Sequence, residues 1–301
     1  MKFFSGTSNT PLAKAVAKEL GISLSNVEIT RFIDNECRVF VKDDVAGEDV
    51  FVLQSLSEVA DQNLVELCLL GQALKDLKAK KVAAVIPWLG YSKQDKAFRK
   101  GEAISIQLVA KFIEAAGFDA VITCELHSQD VLTFFHIPLV ELSTHKLLAT
   151  ALSAQSRLSL EHMVVVSPDK GGKSRSERFA KDAGADIVYL EKSRNVTKGE
   201  VSVTGISGDV SGKTVVIFDD IINTGETAVK TSAFVKSKGA TAVYFLATHA
   251  VLAGDASVLL SRSAIDRIIV TDTIAIPADK RFEKLSIVSV APQISQAICE
   301  T

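Results

Sequence analysis

The chain has 301 residues, 47% of them hydrophobic and 23% charged, enough for roughly two globular domains with sizeable cores. Its 34 basic and 36 acidic residues leave a net charge of −2 with both signs interspersed, so there is no electrostatic footprint for nucleic acid or a membrane surface, and a small-molecule ligand is expected. Four separated cysteines, Cys37, Cys68, Cys124 and Cys299, form no Cys-x-x-Cys pair and indicate neither a zinc site nor a disulfide framework. The N-terminus, Met1-Lys-Phe-Phe-Ser-Gly6, turns polar too soon for a signal peptide. No apolar run approaches the ~20 residues that span a bilayer, so a soluble cytoplasmic protein is expected.

Short apolar runs alternate with helical periodicities, the rhythm of an α/β protein. In chain order, the first part reads as a helix at Leu12–Leu20, a strand at Val50–Leu53, a helix at Asn63–Leu77, a strand at Val82–Ile86, a helix at Ile104–Ala116 and a strand at Asp119–Cys124. The second part gives a helix at Lys146–Leu152, a strand at Met163–Val166, a helix at Ser174–Ala183 and strands at Ile187–Leu190 and Val215–Phe218. A helix at Ala228–Lys238, a strand at Ala242–Ala247, a helix at Ala256–Leu260 and a strand at Arg267–Val270 follow. Gly21, Gly117, Gly184 and Gly239 stand where left-handed helix caps fall. The pattern runs twice, which predicts domains over 1–144 and 145–301, with a reaction expected in the cleft between them. Lys81–Tyr91 and Lys213–Asn223 are both Lys-led apolar strands entering a turn, so the halves are expected to be related.

The most informative segment is Val215-Val-Ile-Phe-Asp-Asp-Ile-Ile-Asn-Thr-Gly-Glu-Thr227. An unbroken β run is expected to be buried on both faces of a parallel sheet, where ligands bind at the strands' carboxyl ends. After Asp220 a sharp turn is expected, with Gly225 allowing backbone N–H groups to face an anion and Thr227 capping the next helix. A phosphorylated sugar fits: phosphate in the turn, and Asp219 and Asp220 on sugar hydroxyls or a hydrated cation. A solvated strand end would account for the acid pair alone, but not for buried strand, acids and Thr-Gly-x-Thr together. The stretch Asp169-Lys-Gly-Gly-Lys-Ser174 ends like a Walker A loop but has Ser167 where that motif needs glycine.

Nine blocks in order resemble the ribose-phosphate diphosphokinase (phosphoribosyl pyrophosphate synthetase) family: Phe4–Ser8, Arg31–Glu36, Gly47–Ser55, Ile86–Asp95, Glu125–Gln129, Ser167–Gly172, Glu191–Arg194, Asp219–Thr227 and Ala247–Ala250. The resemblance implies two phosphoribosyltransferase-like α/β domains, each a mostly parallel sheet flanked by helices. It implies transfer of the diphosphoryl group of ATP to the anomeric hydroxyl of ribose 5-phosphate, with Mg²⁺, in a homo-oligomer (dimer or hexamer). A nucleotide platform would occupy the first domain, and the sugar-phosphate site and catalytic flap the second.

By that resemblance Asp219, Asp220, Asn223, Thr224, Gly225, Glu226 and Thr227 bind ribose 5-phosphate. Phe32, Asp34, Asn35, Glu36, Lys93, Gln94 and Asp95 bind ATP, and His127 and Asp169 bind the metal. Lys192 and Arg194 are the catalytic cations of a flap over Glu191–Val201, suited to stabilising charge that shifts during phosphoryl transfer. His249, after the strand ending at Ala247, resembles a family position at a strand's carboxyl end and is given no role, whereas His136, His145 and His162 are expected to be structural or surface residues. Lys93 replaces the family's usual arginine, trading a planar multi-donor fork for a hydrated point charge, and Asn223 replaces a frequent aspartate. Phe98–Ser105 departs from the form common in phosphate-activated, ADP-inhibited members, and no regulatory tail is expected after the last helix. A phosphoribosyltransferase and a non-catalytic regulatory member are the alternatives.

Overall fold

The computed structural model describes residues 1–154, 162–168, 171–194 and 201–301, with backbone alone at 192–194 and 201–203. The chain divides into two compact units: Met1–Ser143 with Thr273–Ala275 and Ser289–Thr301, and Thr144–Asp272 with Ile276–Val288.

The first unit contains β1 (Lys2–Ser5), α1 (Thr10–Glu19), β2 (Val27–Arg31), β3 (Cys37–Val41), β4 (Asp49–Leu53), α2 (Ala60–Asp76), β5 (Lys81–Ile86), α3 (Ser105–Ala115), β6 (Ala120–Cys124) and β7 (Leu139–Leu142). Its main sheet is parallel throughout, in the order β1-β4-β5-β6-β7. β2 and β3 form a separate antiparallel hairpin. α1 shows how local sequence sets an element: Asn9 caps it by accepting a hydrogen bond from the Leu12 N–H at 3.3 Å, Pro11 lies in its first turn, and Leu12, Ala13, Val16 and Ala17 form the buried stripe.

The second unit contains α4 (His145–Ala154), β8 (Met163–Ser167), α5 (Lys173–Ala183), β9 (Asp186–Arg194), β10 (Val201–Ile206), β11 (Thr214–Ile222), α6 (Glu226–Ser237), β12 (Ala242–Ala250), α7 (Ala256–Ser261), β13 (Arg267–Thr271) and β14 (Leu285–Val288). The sheet order is β10-β9-β8-β11-β12-β13-β14, parallel except for β10 against β9. β8 is buried along its whole length and β11 from Val215 to Phe218, as continuous apolar runs covered on both faces should be. The last helix, α8 (Ala291–Glu300), belongs to the first unit, where it packs on α1; a single cut after residue 144 assigns it to the second. Among the described residues no helix is long and apolar enough to cross a membrane.

α5 positions the functional end of β11. Its buried stripe is Arg175, Ser176, Phe179 and Ala180, and Gly184 ends it with φ +65° in the left-handed region. Phe179 stacks on Phe218 with ring centroids 4.4 Å apart, and the buried His145 meets Phe218 edge-on at 5.0 Å. Burying each of these phenylalanines contributes about 2–3 kcal/mol. The stack fixes α5 against the strand residue immediately before the acid pair.

All the expected strands and helices are present. The shorter β1, β7 and β14, the β2–β3 hairpin, β10 and α8 were not expected from the sequence. β2 and β3 leave alternate residues exposed, and β1, β7 and β14 are four residues each, too short to establish a period.

Candidate active site

β11 does not stop at Phe218 but runs to Ile222, so Asp219 and Asp220 lie within the strand, and the turn falls later, at Asn223–Gly225. Asp219 pairs with Ala247 and Ile221 with His249 on β12. Gly225 has φ +78° and occupies the N-cap of α6. Thr227 is therefore not the cap: it sits inside the first turn, because the left-handed glycine starts the helix two residues earlier than expected. The first turn of any helix leaves N–H groups without intrahelical partners and carries the positive end of the dipole, which suits this turn to an anion. Glu226 in that turn is paired with Lys230 at 2.9 Å.

The acid pair meets a cation that the sequence did not reveal. Arg175 Nη1 lies 3.0 Å from Asp219 Oδ1 and 2.9 Å from Asp220 Oδ1. Arg175 is 7% exposed and Asp220 1%. The signal was present in α5: an arginine on the buried stripe one turn before Phe179 requires a carboxylate partner.

Lys192 and Arg194 belong to β9, paired through the backbone with Val203 and Val201 of β10. Glu191–Arg194 is thus strand rather than loop, because β10 continues the ladder outward, and only residues 195–200 of the expected flap are left, outside the described residues. β9, β8 and β11 are consecutive parallel neighbours, so Lys192, Arg194, the end of β8 at Ser167 and the acid pair all belong to carboxyl ends on one sheet edge. Asp169 lies outside the described residues.

In the first unit, Phe32, Ile33, Asp34, Asn35 and Glu36 form the exposed β2–β3 turn. The Phe32 N–H donates to the Glu36 carbonyl at 2.9 Å, Arg31 Nη1 donates to the Asn35 carbonyl at 3.0 Å, and Asn35 takes φ +72°. Phe32, Ile33, Asp34 and Glu36 border an open surface hollow. Lys93, Gln94 and Asp95 follow β5; Asp95 is buried, and Gln94 Oε1 accepts from Ser105 Oγ at 2.5 Å, tying the loop to α3. His127 is exposed in the loop after β6. Ile86 of β5 pairs with Thr123 of β6, and Lys96 Nζ lies 3.2 Å from Asp130, so Lys93–Asp95 and His127 occupy adjacent loops. The β2–β3 hairpin is held on α2 instead.

The remaining histidines have separate surroundings. His249 is wholly buried inside β12, which extends to Ala250. His145 lies 3.8 Å from the Asp182 carboxylate, His136 is exposed 3.2 Å from Glu114, and His162 is exposed. Burial pushes the Cys68 thiol up to about 11. Among the described residues, no three His, Cys, Asp or Glu side chains gather as a metal site.

Residues 1–117 match the N-terminal domain of ribose phosphate pyrophosphokinase, and residues 148–301 match the phosphoribosyl synthetase-associated domain. Ribose-phosphate pyrophosphokinase 1 of Streptococcus mutans is 38% identical over 299 residues, covering 99% of this chain and 92% of the relative. The chain belongs to the ribose-phosphate pyrophosphokinase family. A putative ribose-phosphate pyrophosphokinase 2 of Lactiplantibacillus plantarum, another member, is 37% identical over 298 residues, covering 99% and 92% of the two chains. The crystal structure of phosphoribosylpyrophosphate synthetase from Mycobacterium smegmatis superposes with a TM-score of 0.92 at 34% identity, covering 99% of this chain and 97% of that one.

Proposed function

We propose that this pyrophosphokinase-family protein transfers the diphosphoryl group of ATP to the anomeric hydroxyl of ribose 5-phosphate. The hydroxyl oxygen bonds to the β-phosphorus, the bond from that phosphorus to the bridging oxygen shared with the α-phosphate breaks, the hydroxyl proton passes to solvent, and AMP leaves with the bridging oxygen. The observation that carries this is the acid pair near the carboxyl end of β11, followed by a glycine-started helix turn, in a chain 38% identical over nearly its full length to a ribose-phosphate pyrophosphokinase.

In this assignment Asp219 and Asp220 accept hydrogen bonds from sugar hydroxyls, and the backbone and side chains of Asn223, Thr224, Gly225, Glu226 and Thr227 surround the 5-phosphate. Phe32, Asp34, Asn35 and Glu36 with Lys93, Gln94 and Asp95 take the nucleotide, making the first unit the nucleotide platform. Lys192 and Arg194 stabilise the charge that moves onto the leaving phosphate oxygens. Mg²⁺, an ion that keeps waters and so needs few protein ligands, would offset the polyphosphate charge when bound; His127, acting through a water, and Asp169 are its candidate positions. Assembly as a homo-oligomer, a dimer or hexamer, is carried over from the family resemblance; Val65, Leu69, Leu108 and Phe112, exposed on α2 and α3 along one groove, give it an apolar surface to use. A cytoplasmic setting suits four free cysteines.

The test is product analysis with ATP, Mg²⁺ and ribose 5-phosphate. AMP and phosphoribosyl pyrophosphate in equal amounts are expected. ADP would mean an ordinary kinase, and turnover only with a nucleobase and phosphoribosyl pyrophosphate would mean a transferase.

A further inference from the structure

A regular strand sends adjacent side chains to opposite faces, yet the carboxylates of Asp219 and Asp220 converge on the single nitrogen Nη1 of Arg175. Asp219 Oδ1 also accepts from the Asp220 N–H at 2.9 Å, so its side chain curls along the backbone towards its neighbour. The cation itself is held in place. Arg175 lies one turn before Phe179, whose ring stacks on Phe218, the residue directly before the pair. Two carboxylates gathered beside an anionic ligand would repel it, and one guanidinium offsets one of those charges where solvent screening is weak.

We propose that Arg175 is a positioning residue of the ribose 5-phosphate site, gathering Asp219 and Asp220 for the sugar hydroxyls and balancing one of their charges next to the substrate phosphate. This deepens the function above and depends on those acids meeting ribose 5-phosphate. Arg175 acts through the acids. Its loss therefore weakens the sugar phosphate and spares the nucleotide, which a merely structural arginine would not do.

The experiment compares wild type with Arg175→Lys and Arg175→Met, varying each substrate separately and titrating ribose 5-phosphate calorimetrically without ATP or metal. Arg175→Lys keeps the charge but not the fixed fork, so the KM and Kd for ribose 5-phosphate should rise about 10-fold, as expected for a weakened charge-assisted hydrogen bond, with the KM for ATP within about twofold. Arg175→Met should raise them further. Should that variant not fold, Arg175→Lys combined with Asp219→Asn serves in its place, and its loss of ribose 5-phosphate binding should fall short of the sum of the two single losses. Unchanged ribose 5-phosphate constants in Arg175→Lys, equal effects on both substrates, or additive losses in the pair would overturn the proposal. A wild-type protein that neither binds ribose 5-phosphate nor turns it over would overturn the functional assignment beneath it.

Discussion

Replacing Gly225 by alanine separates backbone strain from site chemistry, with Gly184→Ala as its control. Both glycines are left-handed, at φ +78° and +65°, and placing a side chain there costs roughly 1–2 kcal/mol. A Cβ on Gly184 meets nothing within 4 Å, so Gly184→Ala should lose about that much. A Cβ on Gly225 would lie 3.0 Å from Leu260 Cγ, and Leu260 is wholly buried and closely packed, so a tight contact adds about 1–2 kcal/mol. Urea denaturation should thus place Gly225→Ala about 2–4 kcal/mol below wild type and clearly below Gly184→Ala. Only Gly225→Ala displaces the start of α6, so steady-state kinetics should show its KM for ribose 5-phosphate rising about 10-fold or more, with Gly184→Ala unchanged. Equal stability losses would refute the packing calculation. An unchanged KM in Gly225→Ala would remove the turn from the sugar-phosphate site.

Two further outcomes follow from the assigned roles. Lys192→Ala and Arg194→Ala should each lower kcat about 100-fold or more, while calorimetry shows ribose 5-phosphate binding intact; equal loss of binding would move these residues into the ground-state site. Phe32 is 53% exposed, so Phe32→Ala should shift stability by no more than about 0.5 kcal/mol, yet raise the KM for ATP about 10-fold through lost base stacking; an unaltered KM would take the β2–β3 turn out of the nucleotide site.

The buried parallel strands were the most legible part of the sequence, because Val82–Ile86, Met163–Val166 and Val215–Phe218 are covered on both faces and read as unbroken apolar runs. Their ends were less legible. Asp219 and Asp220 continue β11 because an arginine from α5 makes it tolerable to place two acids in the sheet, and no local preference encodes a partner 44 residues away. Thr227 looked like a cap because threonine favours that position, but Gly225 reached the left-handed conformation first. The β2–β3 turn was recognised through its family residues and not its strands, since a half-exposed hairpin has little apolar patterning. α8 was missed although Pro292 opens it and Ile294, Ala297 and Ile298 form its buried stripe.

Following the phosphorus atoms tests the central claim most directly. With ATP labelled at the β-phosphorus, the label should pass to the sugar diphosphate and be absent from AMP, while label at the α-phosphorus should remain in AMP. Recovery of β-label in ADP, with only the γ-phosphoryl group on the sugar, would contradict diphosphoryl transfer.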